Sequence, residues 1–318
     1  MDKSDKIKII AVVGPTAVGK TRLGVFLAKK LCGEIISADS MQIYKGMDIA
    51  TAKPSREETE GVRHHLIDFL SPDERFSVGE FIRLADSAAS DILSKNKLPI
   101  IVGGTGLYID SFLSGLSFIE FSFDDNVRQR LTKRLKQEGA PSLLAELKKI
   151  DPKAAAALHP NNTGRIIRAL ELYETTGKTI SEQNELSRMS PSKWEPLYIG
   201  VAYRDRKLLW SRINQRVDKM LEQGLLEEAR AFYSSKRSHT AAAAIGYKEL
   251  KPYLDGEKPL EDCIDSLKTA TRQYAKRQGT WFKKNKDIIW FYKDDYDDFS
   301  QLENKVYETV RGWLNEKK

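Results

Sequence analysis

The stretch GPTAVGKT, residues 14–21, has the residue types and spacing of a phosphate cradle. Gly14-x-x-x-x-Gly19-Lys20-Thr21 fits the P-loop pattern in full. Glycines let the backbone turn so that several N–H groups point inward. A helix beginning near Lys20 adds its positive dipole end. Lys20 supplies a mobile positive charge, and Thr21 supplies a hydroxyl for Mg²⁺. We assign the whole loop, Gly14, Pro15, Thr16, Ala17, Val18, Gly19, Lys20 and Thr21, to phosphate binding. The competing reading is an ordinary tight turn from strand to helix. The loop says nothing of what the phosphate is attached to: an ATPase, a GTPase, a small-molecule kinase or another phosphate chemistry would all use it.

Such chemistry calls for a carboxylate at the end of a neighbouring strand. LPIIVGG (98–104) ends in glycine and offers none. Asp39, after EIISA, and Asp68, in HHLID, are the candidates. Asp39 is preferred because it follows a buried-looking strand, and strand ends on that side of a parallel sheet converge on the phosphate site. Its bland reading is a turn or helix-cap aspartate.

The elements that must position these groups are legible in the apolar pattern. IKIIAVV (7–13), EIISADS (34–40) and LPIIVGG (98–104) read as buried strands. Leu23, Phe26, Leu27 and Leu31 fall at helical spacing, and a second helix is expected around 77–94. Strand, helix, strand, helix, strand argues for a parallel sheet wrapped by helices. From about 123 to 190 the periodicity is helical throughout. SRMSPSKWEP (187–196) reads as a loop, LYIGVAY (197–203) returns to strand character, and DIIWFY (287–292) is the expected last strand. The fold class is therefore α/β, a P-loop NTPase-like parallel sheet flanked by helices, with an all-helical insertion. The expected domains are 1–116 and 197–318 for the core and 117–196 for the insertion.

The bulk properties narrow the setting. A chain of 318 residues buries a sizeable core. It contains no run of about 18 apolar residues, so no membrane span is expected, and its charged start lacks a signal-peptide core. Cys32 and Cys263 show no CxxC spacing, and the four histidines make no metal-ligand pattern with them. We expect reduced thiols and a cytoplasmic protein. The net charge of +7 is compatible with a nucleic-acid partner. Its distribution is more informative: from Ser266 to Lys286 there are Lys and Arg residues but no Asp or Glu. A solvated helix face is the ordinary meaning of such a block. Here Tyr274, Trp281 and Phe282 are interleaved with it, which favours a polyanion surface.

At SADSMQIYKGMDIATAKP (37–54) the pattern becomes specific. Together with GPTAVGKT, VGGTGLY (102–108), HPNNTGRIIRALE (159–171), IGYKEL (245–250) and TRQYAKRQGTWFKK (271–284), it resembles the bacterial tRNA isopentenyltransferase family, in order from about residue 8 to residue 292. The resemblance implies transfer of the dimethylallyl group of dimethylallyl diphosphate to N6 of adenosine 37. That base lies 3′ of the anticodon, in tRNAs reading codons that begin with U. Diphosphate leaves and Mg²⁺ assists, with Thr21 as the metal-side hydroxyl. The partners so implied are the tRNA anticodon stem-loop and dimethylallyl diphosphate, and a monomer is expected.

The resemblance also implies site residues. Asp39 matches the family's catalytic aspartate, the base for an amine that is a poor nucleophile. Thr105 and Arg216 match residues at the diphosphate beside Lys20, and Lys20 and the loop amides suit the charge gained by the leaving group. A base in a stacked loop must be flipped out to react. Asp39, Ser40, Met41 and Gln42, with Thr105, match contacts to it and its neighbours. Arg128 and the segment Gly164, Arg165, Ile166, Ile167 and Arg168 match RNA contacts in the insertion, and Gly246, Tyr247 and Lys248 match another. In the basic helix, Lys268, Arg272 and Lys276 form one row, with Arg277 and Lys284 beside it, suited to tracking phosphates. Two departures stand out. Ala243 occupies a place where relatives often carry a polar residue, and the zinc finger of eukaryotic relatives is absent. A kinase using ATP would explain the loop but leave the insertion and basic helix without a role. An RNA-binding protein without activity would leave the loop without one.

Overall fold

The computed structural model describes residues 6–116, 125–187 and 191–316. Six strands form one sheet in the order β3-β2-β4-β1-β5-β6, and every pairing is parallel. They are β1 (Ile7–Val13), β2 (Gly33–Ala38), β3 (His64–His65), β4 (Leu98–Gly103), β5 (Trp194–Ala202) and β6 (Ile289–Tyr292).

The central strand explains why the sheet is covered on both faces. Side chains alternate along a strand, so Ile9, Ala11 and Val13 pack into one core while Ile10 and Val12 pack into the other. All five are fully buried. The first core takes Phe81, Ala85 and Ile92 from the Val78–Ser94 helix and Leu267 and Phe282 from the Leu260–Phe282 helix. The second takes Leu23 and Leu27 from the Lys20–Lys30 helix and Leu302, Val306 and Val310 from the Phe299–Asn315 helix. The P-loop NTPase-like parallel sheet expected from the sequence is what forms.

Contacts divide the chain into two compact units, 1–114 with 193–318, and 115–192. The second is helical. Leu131, Leu143, Leu147, Ile166 and Leu170 form its core. The buried Asp151 carboxylate ties two of its segments, accepting from Ala154 N, Ser181 N and Ser181 Oγ at 2.6–2.9 Å.

Two local expectations need correction. The segment 187–196 does not run as loop to its end: β5 starts at Trp194, whose register opposite Ile7 extends the pairing with β1. Residues 188–190 of that segment lie outside the described residues. The two-residue β3 was not foreseen, because a strand this short carries no periodicity.

Candidate active site

β1, β2 and β4 end side by side, and the loops that leave them meet. Gly14 leaves β1 with φ +141°, and a Cβ there would stand 2.2 Å from the Val201 carbonyl oxygen, so only glycine fits. Gly19 caps the helix that starts at Lys20. Asp39 follows the last residue of β2, and Gly104 and Thr105 follow β4. The Thr105 N–H donates to the Ala38 carbonyl at 3.1 Å. The Ser40 N–H donates to Thr105 Oγ1 at 3.1 Å, locking the β2 and β4 loops together.

These loops line a cavity of about 1110 Å³ built wholly from the core unit. Asp39, Ser40, Met41, Gln42, Lys20, Thr21 and Arg216 all line it. Arg216 donates to Thr16 Oγ1 at 3.2 Å, and Lys20 Nζ donates to the Pro15 carbonyl at 2.6 Å. Burial, then repulsion by Arg216, pushes the Lys20 ammonium down to about 7 against the opposing pull of Asp39. Burial also lowers Arg216, with Asp39 and Glu58 opposing. Two desolvated cations facing one aspartate make a site short of negative charge, suited to a polyanion.

The Asp39 carboxylate does two things. Its Oδ1 accepts from Met41 N at 2.8 Å and Gln42 N at 3.3 Å, which fixes the turn after β2. It is also near enough to act on Lys20, Arg216 and Tyr274 electrostatically. Asp68 sits elsewhere in role, ion-paired with Lys53 at 2.6 Å.

The Leu260–Phe282 helix reaches the cavity with a face that sequence reasoning assigned differently. Thr271, Tyr274 and Gln278 line the cavity, and Leu267 continues their stripe. Burial, and next the nearby Asp39 carboxylate, raise the Tyr274 pKa against the opposing influence of Thr105, Arg277 and Gln278. Trp281 donates to Asp110 at 2.6 Å and packs where a Cβ on Gly106 would stand, 2.2 Å from its ring. Phe282 is buried. Phe282 thus faces the core, Tyr274 the cavity and Trp281 the segment after β4, so the aromatic residues do not share one outer surface with the cations. The block spans helix turns, so one stripe of it is core. Of the cations, Lys268 pairs with Asp218 at 2.6 Å, and Arg272 donates to Asn214 Oδ1 at 2.8 Å and Thr269 Oγ1 at 2.9 Å. Lys276 and Arg277 are exposed.

Three groups that spacing did not reveal hold the site. Gln278 is 5% exposed, accepts from Thr16 N at 2.9 Å and donates to the Gly104 carbonyl at 3.0 Å. The signal for it was a polar residue on the buried stripe of a helix. Glu228 accepts from the N–H groups of Asp48, Ile49 and Ala50 at 2.7–2.9 Å and from the Tyr247 hydroxyl at 2.9 Å. Lys53 donates to the Tyr44 carbonyl at 2.8 Å and pairs with Asp48. Glu228 and Lys53 pin the strap 48–54 along the cavity wall. Gln42 joins them, its Nε2 donating to the Thr51 and Ala52 carbonyls at 3.0–3.1 Å.

Some residues assigned to RNA contact have their side chains engaged inside the protein. Tyr247 is fully buried, stacked on Phe232 at 4.2 Å. Ile166 and Ile167 lie in the core of the insertion. Those three cannot offer side chains to RNA, and only their backbone is available. Arg128 pairs with the buried Glu171 at 2.9 Å, and Arg168 stands 3.7 Å from the same carboxylate. Arg165 and Gly164 are exposed on the insertion, while Gly246 and Lys248 lie at the cavity wall. Arg212, one turn before Arg216, donates to Gln215 Oε1 at 3.4 Å.

Away from the cavity, Glu34, His65 and Asp91 bring ligand atoms within 4.8 Å of one another, a grouping invisible in the linear spacing. His65 and Lys97 already bond the Glu34 carboxylate at 2.7 and 2.8 Å.

Comparison with known proteins decides what this cavity belongs to. The profile of the IPP transferase family matches residues 42–285. The chain belongs to the IPP transferase family. It is 48% identical over 316 residues to a tRNA dimethylallyltransferase of Bacillus velezensis, covering 98% of this chain and 99% of that one. Among solved structures, the tRNA isopentenylpyrophosphate transferase of Bacillus halodurans is 44% identical, with 97% of each chain covered and a TM-score of 0.72. A eukaryotic dimethylallyltransferase crystallised acting on tRNA is 32% identical, with 95% of this chain and 77% of that one covered and a TM-score of 0.77. The profile begins at Gln42, so the phosphate loop and Asp39 lie before the matched residues. No helix among the described residues is long and apolar enough to cross a membrane.

Proposed function

We propose that the core cavity holds dimethylallyl diphosphate and a flipped-out adenosine together, and that the protein joins them. Membership of the IPP transferase family and full-length similarity to tRNA dimethylallyltransferases make the reaction transfer of a dimethylallyl group to tRNA. The acceptor we propose is N6 of adenosine 37, beside the anticodon, in tRNAs reading codons that begin with U.

The observation that carries this reading is the pair Lys20 and Arg216, two desolvated cations bridged through the phosphate loop with Asp39 beside them. Diphosphate fits the cations, and it gains charge as it leaves. N6 attacks C1 of the dimethylallyl group, the C1–O bond breaks with its electrons going to diphosphate, and the N6 proton passes to the Asp39 carboxylate. Thr105, held by Ser40 N, offers its hydroxyl beside the reacting groups. Thr21 and the diphosphate oxygens are hard donors of the kind Mg²⁺ takes. When bound, the ion would neutralise charge on the leaving group.

The test is incubation of the protein with dimethylallyl diphosphate, Mg²⁺ and unmodified tRNA. Prenylated adenosine and one diphosphate per transfer are expected. ATP hydrolysis without tRNA product would replace this reading with the kinase one.

A further inference from the structure

Outside the cavity, one exposed aromatic stands among cations. Trp210, on the Arg206–Glu222 helix, is 37% exposed. The Arg206 guanidinium lies 4.6 Å from its ring centroid and that of Arg272 lies 5.8 Å away, reaching over from the neighbouring helix. Here the indole holds two positive groups at once, an arrangement that is costly unless something negative comes to it.

The opposing charges nearby are already committed. Asp294 accepts from the backbone N–H groups of Arg204 and Asp205, and Asp295 pairs with the Arg204 guanidinium at 2.6 Å. Asp205 caps its own helix through Lys207 N. Asp218 pairs with Lys268. Among the described residues, Arg206 and Lys207 have no carboxylate partner within ion-pair distance. Arg272 is held still by Asn214 and Thr269, both neutral, so its orientation is fixed while its charge stays uncompensated.

We propose that Arg206, Trp210 and Arg272 form a stacking platform for an unpaired nucleotide of the tRNA, separate from the one that enters the cavity. The base or ribose packs against the part of the indole that the guanidiniums leave exposed, and its flanking phosphates meet those guanidiniums. This rests on the functional reading above, in that the occupant is the tRNA substrate. The chemistry fits single-stranded RNA: an aromatic face accepts any base, and cations beside it track the backbone. The location fits as well. Trp210 precedes Arg216 on one helix by six residues, about 9 Å along its axis and roughly 120° around it, and shares a face with the cavity-lining Ile213 three residues on. That rise is two or three nucleotide steps at about 3.4 Å each. A strand whose target base enters the cavity would thus pass the platform with its next few nucleotides. The cation–aromatic contacts hold the guanidinium planes in place before RNA arrives, which reduces the ordering cost of binding.

The experiment measures equilibrium binding of unmodified substrate tRNA, at fixed salt, to the full chain and to Trp210→Ala, Trp210→Phe, Arg206→Ala and Leu208→Ala. Leu208 is an exposed residue of the same helix that serves as the control. Trp210→Ala is expected to weaken binding about tenfold, within the range for loss of one stacked base. Trp210→Phe should keep most of the affinity. Arg206→Ala should flatten the salt dependence by about 0.7 in slope, one single-strand phosphate contact. In steady state, Trp210→Ala should raise KM for tRNA and leave KM for dimethylallyl diphosphate in place. Trp210→Ala binding within twofold of the parent, or equal rises in both KM values, would overturn the platform. A parent that binds tRNA without prenylating it overturns the functional reading instead.

Discussion

Gln278 accepts the Thr16 backbone N–H at 2.9 Å and donates to the Gly104 carbonyl at 3.0 Å, so one buried amide ties the phosphate loop to the loop after β4. No other residue type of that size both accepts and donates in this way. Gln278→Ala should lower kcat/KM for dimethylallyl diphosphate about tenfold by letting the loop drift. Gln278→Glu keeps the acceptor for Thr16 but sets a carboxylate against the Gly104 carbonyl, and it should be the worse variant. Steady-state kinetics of the two decide the matter; a Glu variant equal to the parent would show that the donor half of the tie is idle.

Asp39 has a structural oxygen, Oδ1, occupied by the Met41 and Gln42 amides. Asp39→Asn retains an acceptor for that turn and abolishes the base, so it separates the two roles better than Asp39→Ala. For Asp39→Asn we expect kcat to fall by about 10²–10⁴, the usual worth of a general base, with tRNA affinity within a few-fold of the parent. Loss of binding with normal turnover at saturation would contradict the assignment.

Glu228 gathers four donors on one carboxylate, three of them from the strap 48–54. Glu228→Ala should destabilise the fold by about 1.5–3 kcal/mol, the scale for hydrogen bonds to a charged group. It should also depress turnover, because the strap walls the cavity. Thermal melts and product assays on the same preparation test this. A melt shifted downward with full activity at low temperature would mean the strap needs no anchor.

Glu34 supplies the pH prediction. Burial alone would raise its carboxyl, but hydrogen bonds from Lys97 and His65 outweigh burial and hold it at about 2, against 4.5 for the free group. A depressed carboxylate stabilises the fold above its unfolded pKa, and that stability is lost as the pH falls from 4.5 toward 2. The contribution is on the order of 3 kcal/mol. Glu34→Gln should flatten the fall of stability across that window, read by urea melts at several pH values. An unchanged slope would place the acid sensitivity elsewhere.

The sheet was readable because β1, β2 and β4 are continuous apolar runs ended by glycine or polar residues, and a doubly covered parallel strand requires such runs. The phosphate loop and Asp39 were readable because their spacing is local. The partners of those residues were not. Gln278 stands 262 residues from Thr16 and Glu228 stands 180 from Asp48. A single polar side chain has no pattern that announces such a distant contact. The basic helix misled for a related reason: its charge is a property of the whole segment, whereas burial depends on which face each residue occupies. Leu267, Ala275 and Phe282 are buried, while Lys276 and Arg277 are exposed, Arg277 at the rim of the cavity.

The insertion begins at Gly115 and ends at Ser192, and a Cβ on Gly115 would stand 3.0 Å from the Ser192 Cα. A segment whose two ends touch makes little demand on the polypeptide that carries it. The sheet residues before and after it could be spliced by a short turn without changing any strand pairing. A helical module joined to the sheet in this way can be lengthened, trimmed or exchanged without altering the strand order that ends at the β1 loop.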